Sequence, residues 1–186
     1  MPMEQNTSEA FTGLEAAIVL IAFVVVAAVF SYVVLGAGFF TTQKAQETVY
    51  KSVEQSTTNL LLIGNVYGLS TDNAAITEIR FSIGLAPGAP TIDLTKLKVV
   101  FSTPNTPPII LTQNATASSS TFTTKEGGAG SSLDSMTKNQ QIEIAFNVTS
   151  VPANTQVNIE IRPATGAALP FSKTTGSTIT TTNVLS

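Results

Sequence analysis

The sequence predicts an α+β chain, with one long N-terminal hydrophobic α-helix followed by an antiparallel β-sandwich. Three observations predict it. Residues 16–40 carry no charge at all, apolar and polar side chains alternate with period two beyond Gly64, and no second helical pattern follows. The chain has 186 residues, nine Lys+Arg against twelve Asp+Glu, and only 11% charged side chains. An average soluble domain carries roughly 25%. His, Cys and Trp are absent. Cys/His zinc sites, thiol nucleophiles and His-based catalytic sets are thereby excluded, as is any disulfide. An acidic chain with nine dispersed basic residues lacks the concentrated cationic face that nucleic acid requires. No cofactor is expected.

The helix comes first. Twenty-five uncharged residues span roughly 37 Å as an α-helix, enough to cross a ~30 Å hydrocarbon core with some tilt. A cleaved secretory signal has a shorter apolar core behind a basic segment, whereas the first ten residues here hold two Glu and no Lys or Arg. The polar stretch TTQKAQETVYKSVEQSTT then lacks Gly and Pro, and Glu47 precedes Lys51 by four residues in the favourable order. Val49, Val53 and Leu60 recur near helical spacing, so the helix is expected to run over residues 11–63, about 80 Å, and to stop at Gly64. Gly36 and Gly38 are candidate soft points within it. A helix apolar on every side must be covered by lipid or by other helices.

The strands follow. Ile79, Phe81, Ile83 and Leu85 alternate with polar or small residues, and so do Leu97/Val99/Phe101, Ile142/Ile144/Phe146/Val148 and Val157/Ile159/Ile161. Residues 109–112, 120–124 and 178–182 are further candidates. Turns are marked at 86–90, 103–108, 127–130 and 151–154 by Pro, Gly and Asn. Short strands with such punctuation and no second helix indicate a sandwich. Gly127-Gly128-Ala129-Gly130 lacks the Lys-Ser/Thr of a phosphate loop and reads as a hairpin tip. The acidic residues show no calcium-loop spacing, so no metal site is predicted, and nothing pairs into a catalytic set. Asn114-Ala-Thr116 and Asn147-Val-Thr149 are glycosylation sequons, the first in an expected loop and the second outward on an expected strand.

Glu15 stands one residue before the unbroken apolar run. A carboxylate there can be interfacial and favoured by the helix dipole. The heptapeptide Phe11-Thr12-Gly13-Leu14-Glu15-Ala16-Ala17 supplies a second reading. Phe first, Thr second and Glu fifth before an apolar run resembles the mature N-terminus of type IV pilin-like subunits. Gly13, the run AAIVLIAFVVVAAVFSYVVLGAGFF, the following QKAQETV, and the tail NIEIRPATGAAL with Asn183-Val184-Leu185 are similar to archaeal flagellin, the archaellin. The chain departs from bacterial pilins in having Glu9-Ala10 where they carry Gly behind basic residues, and in having no cysteine for a C-terminal disulfide.

The resemblance implies a leader over residues 1–10 that a prepilin-type peptidase removes between Ala10 and Phe11. It implies a filament-core and transmembrane helix over 11–63, and an immunoglobulin-like outer sandwich over 64–186. It further implies a homo-polymer, with or without sibling archaellins, held in the cytoplasmic membrane before assembly and turned by the archaellum motor as an extracellular filament. Glu15 would meet the new α-amine of Phe11 on a neighbouring subunit, and Asn114 and Asn147 would carry N-glycans. Such a protein is structural rather than catalytic. Two alternatives share the sequence pattern, an adhesive archaeal type IV pilus subunit and a monomeric single-span binding domain.

Overall fold

Polar and apolar residues alike from Met3 to Thr57 fall in one uninterrupted α-helix, α1 (Met3–Thr57). This is a computed structural model, and it describes residues 3–186, with side chains from Phe11 onward. Helical hydrogen bonding continues through Gly36 and Gly38. The hydroxyls of Thr41 and Thr42 donate back to the carbonyls of Ala37 and Gly38 at 2.8 and 2.9 Å, which satisfies them within the helix itself. The chain divides into two compact units, one ending at Tyr50 and the other running Lys51–Ser186.

The helix ends six residues earlier than the sequence pattern suggests. Thr58 closes it, its amide and hydroxyl both donating to Glu54 O at 3.0 and 2.6 Å. Leu60-Leu61-Leu62-Ile63, expected as the last helical turn, instead opens strand β1 (Leu60–Leu69). A four-residue apolar run has no period of its own. Pairing decides it here, with Leu60 opposite Leu85 and Leu62 opposite Ile83 on β2 (Ile76–Leu85). Gly64, expected as a helix stop, sits at φ 73° in a bulge where the stretch from Ile63 to Tyr67 faces only that from Ser82 to Arg80.

Among the described residues eleven strands follow the helix. After β2 come the short β3 (Ile92–Asp93), β4 (Lys98–Thr103) and β5 (Thr106–Gln113), the last two joined by a tight hairpin. Then come β6 (Thr121–Glu126), the two-residue β7 (Ser135–Met136) and β8 (Gln141–Val151). The chain closes with β9 (Gln156–Arg162), β10 (Leu169–Thr174) and β11 (Thr182–Leu185). The expected strand at 178–182 is displaced, because Asn183 takes the local backbone bonds. Its Oδ1 accepts from Thr180 N at 2.8 Å and its Nδ2 donates to Thr180 O at 2.6 Å, which bends the chain at Thr180–Thr181 and delays the strand to Thr182.

Hydrogen bonding links nine strands in the order β10-β9-β4-β5-β6-β8-β2-β1-β11, all antiparallel except β5–β6. That parallel pairing covers only Thr112↔Thr121 and Gln113↔Phe122, and it is the corner at which the sheet folds over. β10-β9-β4-β5 then form one layer and β6-β8-β2-β1-β11 the other. Edge-on ring pairs cross between the layers, Phe101 with Phe146 at 5.7 Å and Phe171 with Phe81 at 5.3 Å. At the opposite margin Thr174 and Ser186 exchange backbone hydrogen bonds of 2.7 and 3.2 Å, tying the two edge strands together. A sheet whose edges meet presents little open edge for stray pairing.

The alternating residues identified in the sequence fill the interior: Ile79, Phe81 and Ile83 on β2, Ile142, Ile144 and Phe146 on β8, Val157 and Ile161 on β9 are buried. Threonine hydroxyls inside this core find carbonyl partners at Thr123, Thr124 and Thr175. Thr124 donates to Leu133 O at 2.7 Å and Thr175 to Pro152 O at 2.8 Å, and no buried side-chain polar atom lacks a partner among the described residues. On the loops, the Ala74 amide and Ser70 hydroxyl hold the Asp72 carboxyl below its ordinary range, and the Thr95 hydroxyl and Lys96 do the same for Asp93.

Phe146→Ala is expected to cost about 3–5 kcal/mol in urea unfolding of the detergent-solubilised chain, whereas exposed Ile110→Ala should stay within about 0.5 kcal/mol. Asp72 and Asp93 bind protons less readily folded than unfolded. Their contribution is therefore complete above about pH 5 and lost as pH falls through 4 and below. Circular dichroism melts should show a smaller loss between pH 5 and pH 2 for the Asp72→Asn/Asp93→Asn variant than for the unsubstituted chain.

Candidate functional site

Every described side chain of α1 is solvent-exposed, including Phe23 at 76% and Tyr32 at 80%. The stretch from Phe11 is long and apolar enough to cross a membrane, with a mean hydropathy of 3.0 over its most apolar window. Roughly 25 cal/mol per Å² of such surface favours removing it from water, and β-branched and aromatic side chains occur all around the circumference. The helix is thus a site defined by what covers it. Its polar second half is different in kind: Lys44 pairs with Glu47 at 2.8 Å, an exposed contact of small energetic weight.

Glu15 lies on one face of this helix among Thr12, Ala16, Val19, Leu20 and Phe23. Phe11 is one turn earlier, so the two side chains share a face. Among the described residues none is ion-paired with Glu15. A carboxylate on an apolar face costs little in water and several kcal/mol once that face is covered, unless a cation arrives with the covering surface. The leader expected over residues 1–10, with Ala10 at its end, lies outside the residues described with side chains.

Both sequon asparagines border the loop that follows β5. Asn114 is exposed just after β5, its Oδ1 accepting from Ala115 N at 2.7 Å. Asn147 is exposed on the outer face of β8, as its alternation indicates, with Nδ2 donating to Ala117 O at 3.3 Å. The 114–120 loop, which makes the corner between the layers, therefore joins them, and a hollow of about 280 Å³ beside it is walled by Glu78, Arg80, Lys125 and Glu143. Arg80 reaches Glu78 at 2.7 Å and Glu143 at 3.9 Å, and these carboxylates hold its charge firmly.

Sequence reasoning missed the outer face of β1. Leu61, Ile63 and Tyr67 lie opposite Gly84, Ser82 and Arg80, the outward positions of β2, and Tyr67 is also opposite Val184 on β11. The Gly64 bulge interrupts the alternation between Ile63 and Tyr67 with two successive exposed residues, and the run 60–63 reads as helix, so no period-two signal survives there.

Residues 10–173 match the model of the archaeal-type flagellin family. The chain is 40% identical over 181 residues to "Probable flagellin 1" of Archaeoglobus fulgidus, an alignment covering 89% of each. In structure it is similar to the subunit of the archaeal flagellum of Methanospirillum hungatei strain JF1. The TM-score is 0.75 and the identity 33%, over 94% of this chain and 99% of that one. Archaeal flagellin FlaB1 of Methanocaldococcus jannaschii shares the fold alone, with a TM-score of 0.59 at 18% identity over 69% of this chain and 96% of the other.

Proposed function

The chain belongs to the archaeal-type flagellin family, and from that premise we propose that it is the structural subunit of an extracellular filament used for swimming. The observation that carries this reading is α1: a helix apolar on all sides over residues 16–40, attached to a separately packed sandwich, in a chain similar over 94% of its length to a flagellum subunit. Copies of the helix bundled together cover one another as lipid would, and the sandwiches, with a packed core of their own, face the water. The work is mechanical and needs no catalytic group.

A membrane stage precedes the polymer in this reading. The precursor rests with its apolar helix in the cytoplasmic membrane, and a prepilin-type peptidase cuts between Ala10 and Phe11. Helix then leaves lipid for neighbouring helices, so the hydrophobic term nearly cancels and packing with polar register contacts decides assembly. The new α-amine of Phe11, with an ordinary pKa near 8, is cationic at neutral pH and pairs with Glu15 of a neighbour. That pairing fixes the axial register of helices whose other contacts are undirected. N-glycans on Asn114 and Asn147 would both border the loop at the corner, and a motor at the base turns the filament.

Shearing cells that express the chain and reading the N-terminal peptide of the released material by mass spectrometry tests this. A peptide beginning at Phe11, from detergent-free filaments, is the expected result. Protein retained in membranes with residues 1–10 attached would overturn the polymer. Glu15→Leu should still be synthesised and processed yet give few filaments, and an unchanged filament yield from that variant would remove the register pair.

A further inference from the structure

Asn114-Ala-Thr116 and Asn147-Val-Thr149 read alike in the sequence, and the fold makes them unlike. Asn114, Ala115 and Thr116 are all exposed, in a stretch after β5 where the chain bends at Ala115 and Thr116. The Asn114 carboxamide accepts from Ala115 N through Oδ1 at 2.7 Å, and its Nδ2 has no hydrogen-bond partner among the described residues. Asn147 and Thr149 are exposed as well, but on a strand whose other face is the core. Val148 between them is buried, and so is Phe146 before them, its ring against Phe81 at 6.4 Å and Phe101 at 5.7 Å. Here β8 is held from both sides. Glu78 of β2 lies opposite Asn147 on one side. On the other, Asn147 N donates to Ser118 O at 3.2 Å and Nδ2 donates to Ala117 O at 3.3 Å.

N-glycosylation joins a carboxamide nitrogen to a sugar. Nδ2 attacks C1 of a glycan carried on a lipid phosphate, and the C1–O bond breaks. The lipid phosphate departs with that electron pair, and the Nδ2 proton passes to a base of the transferase. An amide nitrogen is a weak nucleophile, because its lone pair is shared with the carbonyl. The transferase must therefore grip the carboxamide and the Thr hydroxyl two residues on together, which takes a chain that turns. Along a strand such residues share a face about 6.5–7 Å apart, and the backbone between them is committed to the ladder. Bending 147–149 out of β8 gives up ladder hydrogen bonds and draws Val148 and Phe146 from the core. Bending 114–116 moves no buried side chain.

We infer that the two acceptors are separated in time: Asn147 takes a glycan only before β8 closes into the sandwich, whereas Asn114 stays an acceptor in the folded chain. This rests on the glycosylation reading above and adds to it an order of events. Transfer to Asn147 competes with folding, and transfer to Asn114 does not. The nitrogen that would attack at Asn147 is the one that ties the corner loop to β8 through Ala117 O, so the same contact that finishes the fold withdraws the acceptor.

Transfer rates decide it. The full chain, folded in detergent, and synthetic peptides of residues 109–120 and 142–153 are each incubated with an archaeal oligosaccharyltransferase and a lipid-linked oligosaccharide, and occupancy is followed by mass spectrometry. Both peptides should be modified. In the folded chain Asn114 should react at a rate close to that of its peptide, and Asn147 at least on the order of a hundredfold more slowly than its own, because it must wait for a core strand to open. Phe101→Ala, a change in the layer facing β8, should raise the rate at Asn147 by roughly tenfold or more and leave Asn114 as it was. Asn147 as fast in the folded chain as in its peptide overturns the inference. So does a peptide around Asn147 that accepts no glycan, a folded Asn114 as slow as Asn147, or a Phe101→Ala chain with an unchanged rate at Asn147. Sheared filaments without glycan at either position would instead strike the reading that cells glycosylate the chain, and the difference in rates between the two sites would stand.

Discussion

An apolar helix whose described side chains are all exposed is the constraint from which the remaining features follow. The described side chains from Phe11 to Phe40 are all exposed, and water is the one environment they cannot occupy at low free energy. Lipid and copies of the same helix are equivalent in apolarity, so a helix suited to one is suited to the other. Movement between them changes the hydrophobic term little, and small directed interactions then gain influence over where each copy comes to rest. A single carboxylate, Glu15, on an otherwise neutral stretch is the kind of group that supplies direction, because its cost in an apolar surround is large unless a cation is placed opposite it.

The sandwich meets the opposite requirement: it must be finished in water without help. Without cysteine its stability comes from apolar alternation on both layers, crossed by the Phe101–Phe146 and Phe171–Phe81 ring pairs, and from buried threonines such as Thr123, Thr124 and Thr175 whose hydroxyls donate to carbonyls. The two-residue parallel corner at β5–β6 and the Thr174–Ser186 tie make one hydrogen-bonded sheet serve as two layers with its edges joined. A domain so closed is protected from strand addition while its faces stay available. Low charge, unusual for a solitary soluble domain, is consistent with faces that are covered in a polymer.

The helix, the sandwich class and the four strongest strands were legible in the sequence because each rests on a local period, 3.6 or 2, repeated over enough residues to be unambiguous. Family membership was legible in the residues around Phe11 and Glu15 and in the tail. The strand β1 was not. Leu60-Leu61-Leu62-Ile63 fits either period, and the Gly64 bulge breaks the alternation that continues to Tyr67. The strand at β10 was hidden differently, since Pro170, Ser172 and Lys173 dilute its apolar content, although Phe171 packs on Phe81.

By itself the sequence determined the covalent and compositional limits: no thiol or imidazole chemistry, a helix that must be covered, a β domain of one apolar face per strand, and the outward placement of Asn147. Only the tertiary structure decided where the helix stops, which strands neighbour one another, and that the loop after Asn114 lies against Asn147. The same holds for Tyr67 beside Val184 and for Ile110 on the opposite layer. The physical reason is range. Helical and strand periods are set by neighbours within a few residues, whereas strand order, corners and surface patches are set by partners far apart in the chain, such as Gly68 and Asn183, whose pairing no local pattern encodes.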